Sequence, residues 1–113
     1  MISAVIITYN EERIIARSID SLKRVADEVV VIDSFSTDRT VEICNEKGAV
    51  VFQNKFEGFR AQKHFATTKA RYQWILSVDA DEVLSDELVD SLLQLRKNIE
   101  TSDNLQLSSP KIA

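Results

Sequence analysis

Val29-Val30-Val31-Ile32-Asp33-Ser34 sets four consecutive β-branched residues directly before a carboxylate. A strand with one solvated face alternates apolar and polar residues. An unbroken β-branched run instead suits a strand buried on both faces, as in a parallel sheet. Working outward, three more runs have the same character: Ala4 to Ile7, Ala49 to Phe52 and Trp74 to Val78.

Helical patterns fill the intervals. Ile15, Ile19 and Leu22 fall at helical spacing after the first run, with Asn10 as the expected N-cap and Glu11 and Glu12 in the dipole-favoured first turn. Ser36 or Thr37 is expected to cap a second helix through Val41 and Cys44, and Gly48 supplies its stop. Phe59 through Ala70 reads as a third helix. Ser85 caps a fourth, led by Asp86 and Glu87, with Leu88, Leu92, Leu95 and Ile99 as its apolar stripe.

The order β-α-β-α-β-α-β-α predicts an α/β fold: a mostly parallel, Rossmann-like sheet of about four strands with helices on both faces. Residues 1–100 are expected to form this domain. Residues 101–113 turn polar, then alternate at Leu105-Gln106-Leu107 before Pro110, and read as a tail or the start of an unfinished strand. A compact domain rarely ends on an unpaired strand, so the expectation is a truncated chain, part of a longer protein.

A chain of 113 residues fits one domain, and 44% hydrophobic residues with 28% charged ones make disorder a poor reading. The net charge of −4 excludes the basic footprint of a nucleic-acid binder. The one cysteine, Cys44, cannot close an intramolecular disulfide and is expected to be a buried structural thiol, which fits a reducing, cytoplasmic setting. No apolar run is long enough to span a bilayer, so contact with the inner face of the cytoplasmic membrane would be peripheral or carried by a missing region. A truncated sheet would expose apolar surface, which makes a homodimer an expectation.

Ligands of open parallel sheets bind beyond the carboxyl ends of the strands. Three strand ends carry polar groups: Thr8-Tyr9-Asn10-Glu11, Asp33-Ser34-Phe35-Ser36-Thr37-Asp38 and Asp79-Ala80-Asp81-Glu82. Asp79 and Asp81 are two apart, so in extended chain they point the same way and repel unless a cation or proton intervenes. Mg²⁺ and Mn²⁺ take oxygen ligands and often bind one or two carboxylates plus substrate phosphates. An acidic loop before a helix is the plainer account of the same residues. Asp33 can accept from a base N–H or a ribose hydroxyl, or can cap the turn that follows; both readings stay open here. Glu82 reads as helix-entry charge, Lys63 and Arg60 as helix cations able to face an anion, and His64 as a structural histidine. Phe52, Phe56, Phe59 and Phe65 read as packing residues rather than a stacking platform.

Together, Ser3 to Glu11, Val29 to Thr40 and Trp74 to Glu82 resemble the inverting nucleotide-sugar glycosyltransferases of the GT-A type, in order and in separation. The stretch Phe56-Glu57-Gly58-Phe59-Arg60-Ala61-Gln62-Lys63-His64-Phe65-Ala66 is similar to the subgroup that includes lipopolysaccharide core glucosyltransferases. The resemblance implies that Thr8, Tyr9 and Glu11 line a nucleotide pocket and that Asp33 binds the base, with uracil expected. It implies that Lys63 approaches the nucleotide, that Asp79 contacts ribose or helps orient a metal-bound diphosphate, and that Asp81 coordinates Mg²⁺ or Mn²⁺. The implied partners are a nucleotide-sugar donor, UDP-linked, and a glycan or lipopolysaccharide acceptor; the implied reaction is hexosyl transfer with inversion.

Two departures stand out. Many relatives carry Asp-Asp-Gly-Ser where this chain has Asp33-Ser34-Phe35-Ser36. The family's general base lies well downstream of its D-x-D segment, and no residue here matches it, so the catalytic base is unassigned. The chain alone is therefore expected to bind donor weakly and transfer little. The rival reading is a non-catalytic regulatory or binding module, receiver-like, since fold does not fix function. A receiver would need a lysine soon after the fourth strand, and none occurs before Lys97.

Overall fold

The computed structural model describes residues 1–102 and 111–112, with the side chains of 1–99. Its elements are β1 (Ile2–Thr8), α1 (Ile15–Leu22), β2 (Glu28–Asp33), α2 (Thr40–Glu46), β3 (Val50–Gln53), α3 (Phe59–Lys69), β4 (Trp74–Asp79), α4 (Asp86–Ser102) and β5 (Lys111–Ile112). All pairings are parallel, in the order β3-β2-β1-β4-β5. The four expected strands form the body of the sheet, and the two-residue β5 runs beside β4. The Leu105–Leu107 alternation lies outside the described residues.

The unbroken apolar runs have the expected cause. Along β1 and β2, Ala4, Ile6, Val29 and Val31 face one core, while Val5, Val30 and Ile32 face another. The first core is closed by Ile15, Ile19 and Leu22 of α1, Cys44 of α2, and Val89 and Ile99 of α4. The second is closed by Ala66 and Phe65 of α3, the one helix described on that side. Cys44 is fully buried; burial, and secondarily the Asp33 charge, push its thiol up to about 11.

Helix ends followed the sequence in part. Ser85 Oγ accepts the Leu88 N–H at 3.1 Å, as an N-cap should. Gly48, at φ +80°, lets Ala49 N–H reach Cys44 O at 3.0 Å and closes α2. Asn10 is no cap: it sits at φ +51°, before a turn that delays α1 to Ile15, and its side-chain oxygen accepts the Thr37 N–H. Neither Ser36 nor Thr37 caps α2; Asp38 Oδ1 takes the Thr40 N–H at 2.9 Å instead. On α4 Val89 and Ile99 are buried and Leu92 half-buried, whereas Leu88 and Leu95 of the expected stripe are exposed. The helix is rotated toward Arg96, whose guanidinium reaches Asp27 Oδ1 at 2.6 Å and Val25 O at 3.0 Å.

Asp27 ties this end together, since its other oxygen accepts the Ile2 N–H at 2.7 Å. Burial pushes its carboxyl up, but the Ile2 N–H and then Arg96 outweigh that and hold it below 3.8. A folded value below the unfolded one adds stability that is present above 3.8 and is lost as pH falls through the folded value. Asp27→Asn is therefore expected to lower the urea midpoint at pH 7, with the two midpoints converging in acid. An undiminished gap at low pH would show that the carboxylate charge is not what matters.

Candidate functional site

The parallel register brings three strand ends together. Thr8 of β1 lies opposite Asp33 of β2, and Ile7 opposite Asp79 of β4. Two cavities open along this edge. One, of about 450 Å³, is lined by Ile7, Thr8, Tyr9, Glu11, Ser34, Phe56 and Phe59. The other, of about 280 Å³, is lined by Ile7, Glu11, Phe59, Lys63, Val78, Asp79, Ala80 and Asp81. They share Ile7, Glu11 and Phe59, so they form two ends of one groove: an aromatic end and a charged end.

Six of the seven candidate residues thus line the groove: Thr8, Tyr9 and Glu11 at the aromatic end, and Lys63, Asp79 and Asp81, again with Glu11, at the charged end. Asp33 lines neither cavity. It is fully buried, and its carboxylate accepts the Thr8 hydroxyl at 2.8 Å, the Ser36 N–H at 2.8 Å and the Ser36 hydroxyl. In this structure Asp33 anchors the turn into Ser36, beside Ser34 of the cavity lining. His64 is exposed and lies outside both cavities.

The Asp33–Asp38 loop explains the departure at Phe35. Phe35 sits at φ +59°, a conformation natural to glycine, and its N–H donates to Gln53 Oε1 at 2.9 Å. The backbone turn is the one a glycine would make, held by a phenylalanine at a strain of about 1–2 kcal/mol.

The Asp79–Leu84 segment is held from below. Ser18, fully buried on α1, donates to Ala80 O at 2.7 Å, and Ser21 Oγ accepts the Leu84 N–H at 3.1 Å. Glu82 is more than entry charge: its carboxylate accepts the Asp79 N–H at 3.0 Å while its own N–H donates to Asp79 O at 3.0 Å. These bonds leave the Asp79 and Asp81 carboxylates without a hydrogen-bond or ion-pair partner among the described residues, facing the groove beside Lys63. No group of three or more His, Cys, Asp and Glu able to cage a metal occurs among the described residues. A cation here would take two carboxylates and complete its shell with ligand phosphates or water, a donor set suited to Mg²⁺ or Mn²⁺.

Three contributors were missed from the sequence alone: Gln62, the Phe56–Phe59 pair and Ser18. Gln62 is fully buried on α3; its amide donates to Ser34 Oγ and Asn54 O, both at 3.0 Å, and accepts from Asn54 Nδ2 at 2.8 Å. Phe56 and Phe59 are 43% and 70% exposed and meet edge-to-face at 5.1 Å. They line the groove rather than a core, whereas Phe52 and Phe65 do pack, under α3. A usable signal existed for Ser18: it interrupts the buried Ile15-Ile19-Leu22 stripe, and a buried hydroxyl needs a partner.

No described helix is long and apolar enough to cross a membrane. The family model for Glycosyl transferase family 2 matches residues 3–105. The chain is 52% identical over 91 residues to an uncharacterized glycosyltransferase of Rickettsia bellii, covering 80% of this chain and 31% of that protein. It is 35% identical over 99 residues to a lipopolysaccharide core biosynthesis glycosyltransferase of Rhizobium meliloti, covering 83% and 36%. The chain thus spans about a third of the length of these curated relatives. Its fold is similar to that of a mannosyltransferase from Pyrobaculum calidifontis in complex with GDP-Man and Mn²⁺, with TM-score 0.70, 23% identity, and coverage of 87% and 32%. It is also similar to glucosyl-3-phosphoglycerate synthase from Mycobacterium tuberculosis in complex with Mn²⁺, UDP and glucosyl-3-phosphoglycerate, with TM-score 0.56, 26% identity, and coverage of 71% and 33%.

Proposed function

Since the chain belongs to glycosyl transferase family 2, we propose that its groove holds a UDP-linked sugar donor, diphosphate at the charged end and base at the aromatic end. The observation that carries this reading is the continuity of the two cavities through Ile7, Glu11 and Phe59. A ligand seated there has an apolar slot at one end and two unpartnered carboxylates with a lysine at the other. UDP and Mn²⁺ are bound together by the M. tuberculosis synthase, which supports the choice of nucleotide and cation.

In the proposed reaction an acceptor hydroxyl attacks the anomeric carbon, the bond from that carbon to the diphosphate oxygen breaks, and UDP departs with inversion. The chain's share is to bind and orient the donor. Lys63 meets phosphate charge, and Glu11, between the two ends, is placed to meet ribose or sugar hydroxyls. Asp79 and Asp81 would hold Mg²⁺ or Mn²⁺, which supplies neutralisation of the charge developing on the leaving diphosphate. Asp33 acts in this reading through the loop it anchors: Ser34, next to it, presents the polar rim to the base. The likeness to the R. meliloti protein favours a lipopolysaccharide glycan as acceptor. No residue of this chain is assigned to take the acceptor proton. Family membership displaces the receiver-like alternative.

Isothermal calorimetry with UDP and Mn²⁺ tests the reading. Binding that strengthens with Mn²⁺ is expected; no heat with UDP or GDP at millimolar concentration would sink it. The same assay probes the support under the aspartates. Ser18→Ala removes one buried hydrogen bond, which is expected to destabilise the fold by about 1 kcal/mol. Because the Ala80 carbonyl it holds lies between the two aspartates, Mn²⁺ affinity read by electron paramagnetic resonance should also fall, roughly 10-fold. An unchanged Mn²⁺ affinity would reduce Ser18 to a stabilising residue.

A further inference from the structure

The aromatic end of the groove is built by a short loop that closes on itself. Asn54 and Gln62 exchange hydrogen bonds across its base: Asn54 Nδ2 to Gln62 Oε1 at 2.8 Å, and Gln62 Nε2 to Asn54 O at 3.0 Å. Gln62 Nε2 also donates to Ser34 Oγ at 3.0 Å, so the loop is tied to the end of β2 as well. Gly58, at φ +110°, turns the chain into α3; a side chain there would meet nothing within 4 Å, so the glycine serves the backbone angle and not the space. The result sets Phe56 and Phe59 ring to ring at 5.1 Å with an interplanar angle of 78°.

Single exposed apolar side chains are ordinary on a protein surface. This pair differs in three ways. It is carried by a loop tied at its base by the fully buried Gln62 amide. It shares a cavity with Tyr9, itself 55% exposed. And Phe59 reaches both ends of the groove, so a flat group on its ring is in line with whatever Lys63 and Asp81 hold. A cavity of about 450 Å³ is of ordinary size for a small ligand. Ser34 Oγ accepts from Gln62 and keeps its own proton for a polar rim atom. A flat π-face with polar edges, at a fixed distance from phosphate, describes a nucleobase.

We propose that Phe59, held edge-to-face by Phe56, is the platform on which the donor's base stacks, a positioning residue for the nucleotide. This inference rests on the donor reading given above. It adds that base affinity is set by the Asn54–Gln62 loop separately from phosphate affinity, which belongs to Lys63 and the aspartates.

The test compares two probes, each with Mn²⁺, on the whole 113-residue chain: a nucleoside diphosphate and inorganic pyrophosphate. UDP and GDP are both titrated, since every base has a π-face, and the tighter is used. Phe59→Ala should weaken the nucleotide roughly 10-fold, within the range of base–aromatic stacking, while pyrophosphate affinity stays within about 2-fold. Phe59→Tyr should restore the nucleotide. Phe59 is 70% exposed, so the alanine variant is expected to fold, and its melting temperature verifies this. Nucleotide affinity unchanged in Phe59→Ala overturns the platform and leaves the donor reading standing. Equal losses for both probes, or no rescue by tyrosine, make Phe59 a support of the phosphate end and also overturn it. A chain that binds neither nucleotide removes the donor reading, and the platform with it.

Discussion

Asp81→Ala is expected to weaken Mn²⁺-supported UDP binding by roughly 100-fold, the loss of one charged ligand contact of about 3 kcal/mol. The expectation follows from how little else Asp81 does. Its carboxylate has no protein partner among the described residues, so its removal should leave the fold intact and act on ligand alone. Asp81→Asn keeps an oxygen and loses the charge, and should fall between. In the absence of Mn²⁺ the ordering should reverse: without a cation the carboxylate repels the diphosphate, and the alanine variant should bind UDP no worse than the parent chain. Calorimetry with and without Mn²⁺ reads both comparisons. A variant that binds as the parent does in both conditions would remove Asp81 from the site.

The second large effect is on stability. Asp33→Ala is expected to destabilise the chain by about 3 kcal/mol, because three hydrogen bonds to one buried charge vanish and the Thr8 and Ser36 donors lose their partner. A domain of ordinary stability holds only about 5–15 kcal/mol in total, so a drop of this size is easily seen in a urea midpoint. Asp33→Asn, which keeps one accepting oxygen, should lose roughly half as much. The comparison tests the anchoring role of Asp33. A base ligand on a solvated loop would leave the midpoint almost unchanged, whereas a loop anchor must show the loss even with no nucleotide present.

The fold was legible because its signal is unambiguous chemistry. Val29 to Ile32 has no polar face to give water, and only a strand covered on both sides accepts that. Strand ends were legible for the same reason: once the runs are strands, Thr8, Asp33 and Asp79 must share an edge. What failed was decided by backbone angles and by rotation. Asn10 looks like a cap, but caps and left-handed turns favour the same residue type, and the choice depends on Thr37, which is distant in sequence. Leu88 and Leu95 fit a helical stripe, yet α4 sits with Val89 facing inward and Arg96 paired to Asp27. Phe56 and Phe59 could not be told from core phenylalanines, since nothing in a local window reports which apolar residues a buried glutamine will hold outside.

The asymmetry of the two faces of the sheet has a consequence for motion. On the side of Val5, Val30 and Ile32, α3 is the one helix described, and the same helix carries Phe59 and Lys63 into the groove. It is therefore wall of the groove and roof of the sheet at once. Any displacement of α3 that widened the groove would also uncover Val5, Val30 and Ile32, which it keeps buried. A ligand that pinned α3 through Phe59 and Lys63 is then expected to slow hydrogen exchange at the centre of β2.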